Sequence, residues 1–199
     1  MHKNFNHFFC LFFIIISLSG CVSSLIGGAA SVGLASVQER SIKDAAIDLK
    51  LELQIQEKLF RADTDKLFIN VDVIMLEQRV LLIGNVESQE LRDLASKISW
   101  EVSPKIKEVL NEITIGKKST LLSEAKDARI SLSLSALLVG DAKVSDINYS
   151  HSVSKQVLFL IGIAKDNTEL NRVIHHARTI KGVKKVVSHI TLTNNKKRR

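Results

Sequence analysis

The chain has 199 residues, is 45% hydrophobic and 25% charged, and carries a formal net charge of +7. One proline and nine glycines exclude a low-complexity or collagen-like chain. Two cysteines, Cys10 and Cys21, leave little room for a disulfide framework, so a folded body must be held by its core.

The first residues carry one cation, Lys3, and then residues 8–18 are almost wholly apolar. Eleven such residues rise only about 16 Å as a helix, about half of a ~30 Å hydrocarbon core, and cannot span a bilayer. A charged start, a short apolar run and small residues at its end predict a secretory signal over 1–20. The run closes on Leu18-Ser19-Gly20-Cys21. That stretch resembles the lipobox of bacterial lipoproteins, which implies diacylglyceryl transfer to the Cys21 thiol. Val22, where an aspartate would retain the product elsewhere, implies sorting to the outer membrane. Several acyl chains at about 0.8 kcal/mol per methylene hold far better than one. Cleavage removes Cys10, so the mature chain keeps no free thiol, and its net charge is +6.

Residues 21–40 are expected to form the acylated cysteine and a tether. Gly27, Gly28 and Gly33 among serines and alanines disfavour a packed element. Leu25, Ile26, Val32 and Leu34 leave open a segment lying on the membrane surface.

The body repeats itself. Arg79-Val80-Leu81-Leu82-Ile83-Gly84 recurs as Val157-Leu158-Phe159-Leu160-Ile161-Gly162, 78 residues later. The flanks follow: Ile69-Asn70-Val71 with Ile147-Asn148-Tyr149, Glu90-Leu91 with Glu169-Leu170, Val109 and Ile113 with Val186 and Ile190. Two domains follow, at 41–116 and 119–194, with a basic tail at 195–199.

Each unit reads helix, strand, strand, helix, strand. In the first, 41–62 is helical, with Ser41 as cap and Ile47, Leu51, Ile55 and Leu59 in one core row. Residues 67–76 and 79–86 are strands joined by the tight polar turn Glu77-Gln78. Ser88 caps a helix to about residue 102 that buries Leu91, Leu94, Ala95 and Ile98. Pro104 stops it, and 108–115 is the third strand. In the second unit, 123–139 is the long helix with the row Ile130, Leu134, Leu138. Residues 143–153 and 156–164 form the hairpin, 168–180 the second helix, and 184–193 the last strand. The fold class is α+β: two tandem αββαβ units, each a three-stranded mixed sheet with two helices on one face. Gly84 and Gly162 point to close packing or a bulge at a strand end.

This αββαβ unit, its hairpin strand ending Val-Leu-Leu-Ile-Gly, and the closing stretch Val183-Lys184-Lys185-Val186-Val187-Ser188-His189-Ile190-Thr191-Leu192 resemble the BON domain. A lipobox, a tether and two such units together are similar to the dual-BON outer-membrane lipoproteins, and less closely to osmotically inducible periplasmic BON proteins. The resemblance implies a non-enzymatic protein of the periplasmic face. It implies binding of anionic phospholipid, mainly through the second unit, and support of outer-membrane integrity, in some members at the division site.

The charges bear on this independently. Residues 36–118 carry 13 cations and 15 anions, whereas 119–199 carry 14 and 6, a net of +8. Such asymmetry predicts an anionic partner for the second half, at about 1 kcal/mol per basic group near an anionic bilayer. Opposite its core row, the long helix of unit two places Ala125, Ala128, Leu132 and Ala136, flanked by Lys126 and Arg129. Lys126, Arg129 and Leu132 are therefore the candidate lipid contacts. The same face can equally pack on unit one or stay solvated. The resemblance implies an aromatic residue near the start of this helix; Arg129 stands there, which favours shallow electrostatic contact over insertion.

The long helix of unit one has a second apolar side, Ile42, Ala46, Leu49, Leu53 and Phe60, which predicts a second neighbour. Unit two is the expected one; a protein partner or a second copy are the alternatives. The tail Lys196-Lys197-Arg198-Arg199 is a solvated or headgroup-attracted segment, and export argues against nucleic acid. No cofactor or metal is expected. His175 and His176 are adjacent on a helix and diverge, and HExxH, CxxC, a Gly-rich phosphate loop and GxSxG are all absent from the sequence. The rival to lipid recognition is an interaction scaffold that binds an envelope protein such as assembly machinery.

Overall fold

The computed structural model describes residues 42–117 and 119–194. Ser41, the anchor and tether at 1–40, and the tail at 195–199 lie outside these residues, Cys21 with them. The first unit runs α1 (Ile42–Ala62), β1 (Val71–Leu76), β2 (Arg79–Val86), α2 (Gln89–Val102) and β3 (Glu108–Ile115). The second runs α3 (Leu121–Val139), β4 (Tyr149–Ser154), β5 (Val157–Ala164), α4 (Asn167–Thr179) and β6 (Lys185–Leu192). The sheets have the orders β1-β2-β3 and β4-β5-β6. In each, the hairpin is antiparallel and the crossover strand, reached through the second helix, is parallel. The mixed three-stranded sheets are those the repeat predicts.

Helices cover one face of each sheet. Leu51, Ile55 and Leu59 from α1 close over Val80, Leu82, Ala95 and Ile98. Ile130, Leu134 and Leu138 from α3 do the same over Leu158, Leu160, Val173 and Ala177. The other faces meet each other. Leu76, Leu81, Ile83, Phe159, Ile161 and Ile163 form a third core between the sheets. Alternate residues of β2 and β5 therefore enter different cores, which is why these strands are apolar throughout rather than every second residue. The layers are helix, sheet, sheet, helix.

Polar contacts tie the sheets at their edges. Arg79 Nη1 donates to the His189 carbonyl at 3.2 Å, His189 Nε2 meets Glu112 Oε1 at 2.9 Å, and Ser152 Oγ donates to Asp72 Oδ2 at 2.7 Å. Unit two thus contacts unit one through its sheet and not through the second side of α1. Leu49, Leu53 and Phe60 stay more than half exposed, against the expectation that unit two covers them.

Both hairpins turn on two residues with left-handed backbones, Glu77 and Gln78 (φ 51° and 61°) and Lys155 and Gln156 (φ 53° and 67°). This is the type I′ geometry that normally selects Asn-Gly, and here no glycine supplies it. A carboxylate from the long helix does the work instead. Asp48 accepts the N–H groups of Glu77 and Gln78 at 2.7 and 2.8 Å. Asp127 accepts those of Lys155 and Gln156 at 2.8 and 2.7 Å. Both aspartates are buried.

Gly84 and Gly162 sit where each central strand passes the segment leading into its hairpin partner. A Cβ on Gly84 would overlap the Asn70 carbonyl oxygen, and one on Gly162 would overlap the Tyr149 ring. Close packing, not a bulge, is their reason.

Several boundaries differ from the predicted ones. The first hairpin strand begins at Val71 and not at residue 67, because Thr64–Phe68 forms a π-helical turn whose Lys66 N–H is taken by Asp63. The strand expected from 143 begins at Tyr149. Side chains take the preceding backbone donors: Asp141 binds the Lys143 N–H and Glu169 the Ser145 N–H, and Asp146–Asn148 is a 3-10 turn. α3 begins at Leu121 and not at residue 123, capped by Thr120, and α4 begins at Asn167 and not at residue 168, capped by Asp166. Ser88 caps α2 as expected, but Leu94 is 37% exposed and lies outside the core.

Replacing Asp48 or Asp127 with alanine strands two backbone donors over a strained turn. Each variant should lose about 3 kcal/mol of unfolding free energy in urea melts, from two charge-assisted bonds worth about 1.5 kcal/mol or more each.

Candidate functional site

The sequence of α3 gives it two different apolar stripes. Ile130, Leu134 and Leu138 recur at helical spacing and enter the core, with Asp127 on the same side reaching the hairpin turn. On the far side Leu121, Ala125, Ala128, Leu132, Ala136 and Val139 recur at i, i+4, i+7, i+11, i+15 and i+18 and face outward. Leu121 is 84% exposed, Leu132 72% and Val139 71%, and Leu122 beside them 68%. A soluble helix ordinarily keeps leucines off that side.

Lys126 and Arg129 stand on one shoulder of this ridge, and both are exposed. Lys126 has no ion-pair partner among the described residues. Arg129 is partly committed: its Nη2 donates to the Lys181 carbonyl at 2.6 Å, just past the end of α4, where Gly182 leaves room for the guanidinium. The structure therefore brings Lys126, Arg129 and Leu132 together within two turns of one helix. Sequence reasoning missed Leu121, Leu122 and Val139. The outward row was readable at i, i+4 and i+7, but starting the helix at Ser123 cut off its first turn.

The other shoulder carries Ser131, whose Oγ lies 3.0 Å from His151 Nε2 on β4. Burial holds the His151 imidazole below its ordinary pKa, opposed in part by its contact with the Ser131 carbonyl. Behind α4, Asp141 Oδ2 accepts from Arg172 Nε at 2.9 Å and meets His176 Nε2 at 2.7 Å. His176 first, then the Lys143 N–H and Arg172, keep this carboxyl well below the usual carboxylate range. This cluster satisfies itself and fastens the loop after α3 to α4. The His175 and His176 rings, expected to diverge, lie near each other with centroids 6.3 Å apart and planes tilted by 58°.

Unit one repeats the exposed helix face with larger side chains. Ala46, Leu49, Leu53 and Phe60 face outward from α1, and Phe60 makes an edge-to-face contact with Phe68 at 5.3 Å between centroids. Among the described residues no helix is long and apolar enough to cross a membrane, and no three His, Cys, Asp or Glu side chains are grouped to hold a metal.

The BON domain description matches residues 47–117 and 126–194. An uncharacterized protein from the gshII 5′ region of Anaplasma centrale is 39% identical over 159 residues, which is 79% of this chain and 100% of that protein. The outer membrane lipoprotein DolP of Haemophilus influenzae is 27% identical over 172 residues, covering 86% of this chain and 88% of DolP. Among solved structures, CdsD, a structural protein of the type III secretion system of Chlamydia trachomatis, matches at 15% identity and a TM-score of 0.28. That match covers 73% of this chain and 63% of CdsD. The CdsD C-terminal domain matches at 14% identity and a TM-score of 0.29, over 75% of this chain and 66% of that one. At those scores the likeness carries no argument.

His151 supplies a pH signature. Because its folded pKa is depressed, the unfolded chain binds the proton first as pH falls below 6.5, so stability is complete above that value and declines through the folded one. Unfolding free energy measured from pH 7.5 to 5.5 should fall more steeply for the native chain than for His151→Asn.

Proposed function

As this chain belongs to the BON-domain family and carries the domain twice, we propose that it is a lipid-anchored protein of the outer membrane, facing the periplasm, whose second unit binds anionic phospholipid. Cys21 is the acylated residue, and the outer face of α3 is the contact surface. The observation that carries this reading is the outward row of α3, with Leu121, Leu132 and Val139 all more than two-thirds exposed. Small residues between them allow a shallow seat among headgroups, and Lys126 and Arg129 supply the charge. The net charge of +8 on residues 119–199 adds a longer-ranged attraction. Its role is to support outer-membrane integrity by binding rather than by catalysis. DolP, itself an outer membrane lipoprotein, supports the placement.

A second reading is a scaffold for an envelope protein, and the exposed Leu49, Leu53 and Phe60 of α1 favour it. The two readings separate by experiment. Residues 37–199 should float with phosphatidylglycerol-rich vesicles, not with neutral ones, and should release as salt rises. Lys126→Glu should weaken flotation about fivefold, one reversed charge being worth about 1 kcal/mol or more, and Leu132→Asp should abolish it. Arg129→Glu joins the series with a thermal melt, because Arg129 also holds the end of α4. Equal flotation with both vesicle types, or with neither, would remove the headgroup reading and leave the scaffold.

A further inference from the structure

A groove of about 750 Å³ runs beside β4, between α3 and the β1 end of unit one. Its walls include Ile69 and Asp72 of unit one, Leu121, Glu124 and Ala128 of α3, and residues 151–154 of β4 itself. β4 is an edge strand, since the sheet order is β4-β5-β6.

The hairpin register decides where the backbone of that edge points. A two-residue type I′ loop closes on a hydrogen-bonded pair, here Ser154 with Val157, so Ser152 and Ser150 also face β5. His151 and Val153 consequently turn their N–H and C=O groups outward. In unit one part of this edge is covered: the outward Met75 N–H is taken by Glu52 of α1 at 3.2 Å. The repeat sets Val153 opposite Met75 and Ser131 opposite Glu52. Ser131 is too short to reach the edge and is engaged by the His151 ring. Among the described residues nothing takes the outward groups of His151 and Val153. Of the two hairpin edges, the contact from the long helix to the edge backbone is therefore made in unit one and missing in unit two.

The sign of the groove runs against that of its own half of the chain. Asp72 and Glu124 stand exposed on its walls and Asp127 lies at its floor, while burial keeps His151 uncharged at neutral pH. The Glu124 carboxylate has no hydrogen-bond or ion-pair partner among the described residues. Ile69 and Leu121, 57% and 84% exposed, flank it with apolar surface.

We propose that β4 receives an extended basic segment of a partner protein, which adds to the sheet as a fourth strand. Main-chain bonds to His151 and Val153 give affinity, and cations facing Asp72 and Glu124 with an apolar residue against Ile69 or Leu121 give selectivity. The groove shares Leu121 and Ala128 with the outward ridge of α3, but its main-chain bonds are made at β4 and do not depend on lipid recognition by that ridge.

The test uses the full chain in detergent micelles with a heptapeptide alternating lysine and valine, followed by amide NMR. The amides of His151 and Val153 should shift, and their hydrogen exchange should slow about tenfold or more at saturation. A glutamate–valine counterpart should not bind, and Glu124→Gln should weaken binding about threefold, as expected for one exposed charge pair. Val153→Pro removes the donor, which an edge strand tolerates, and should abolish binding while vesicle flotation persists. A peptide N-methylated at alternate residues reads the same main-chain pairing on the unaltered protein. Binding that leaves those amides unmoved, survives N-methylation, or accepts the glutamate peptide equally would overturn the proposal. So would no binding at millimolar peptide, or slowed exchange at these amides that grows with protein concentration alone, which would assign the edge to a second copy.

Discussion

Two buried aspartates hold the molecule in register. In each unit one carboxylate leaves the long helix, crosses the edge of the sheet and takes both backbone donors of a left-handed turn. Non-glycine residues in that conformation are strained, and the charge-assisted bonds offset the strain. The turn fixes the pairing of the hairpin. Pairing decides which residues of the central strand face the helices, and a slip of one would turn every leucine to the wrong side. The helix, the turn and the two-faced strand are thus set by a single contact made twice.

Two-faced central strands then fix the layering. Because β2 and β5 bury both sides, the sheets must cover each other, and the helices are left outside with their far faces bare. The lipid-facing reading of α3 and the open face of α1 both follow from that arrangement. They lie on opposite outer layers of the sandwich, so a body seated on a bilayer through one presents the other away from it.

Much of this was legible in the repeat. The 78-residue offset located both hairpins, the core rows of both long helices and the parallel return strand, because each rests on local periodicity. What it did not reveal depends on contacts made across the fold. The roles of Asp48 and Asp127 were not legible, since nothing local in the sequence marks the turn each one holds. The strands shortened to Val71 and Tyr149 because Asp63, Asp141 and Glu169 take nearby backbone donors that a ladder would have used. Starting the long helix of unit two at residue 123 left Leu121 and Leu122 off the outward ridge, because the cap, Thr120, sits one residue before the helix begins at Leu121. Arg129 reads as a candidate lipid contact, and its bond to Lys181, 52 residues away, could not be seen locally.

Glu112 and His189 occupy the same place in the two repeats, opposite Ile83 and Ile161 on the central strands. They also meet each other across the sheets at 2.9 Å. Equivalent positions in contact are the mark of a two-fold relation, here between halves of one chain. Two copies of unit one would set carboxylate against carboxylate there, and two copies of unit two imidazole against imidazole. Only the mixed pair joins an acid to a base. Within one chain the halves meet at high effective concentration, and at this position the mixed pair is favoured over either like pair.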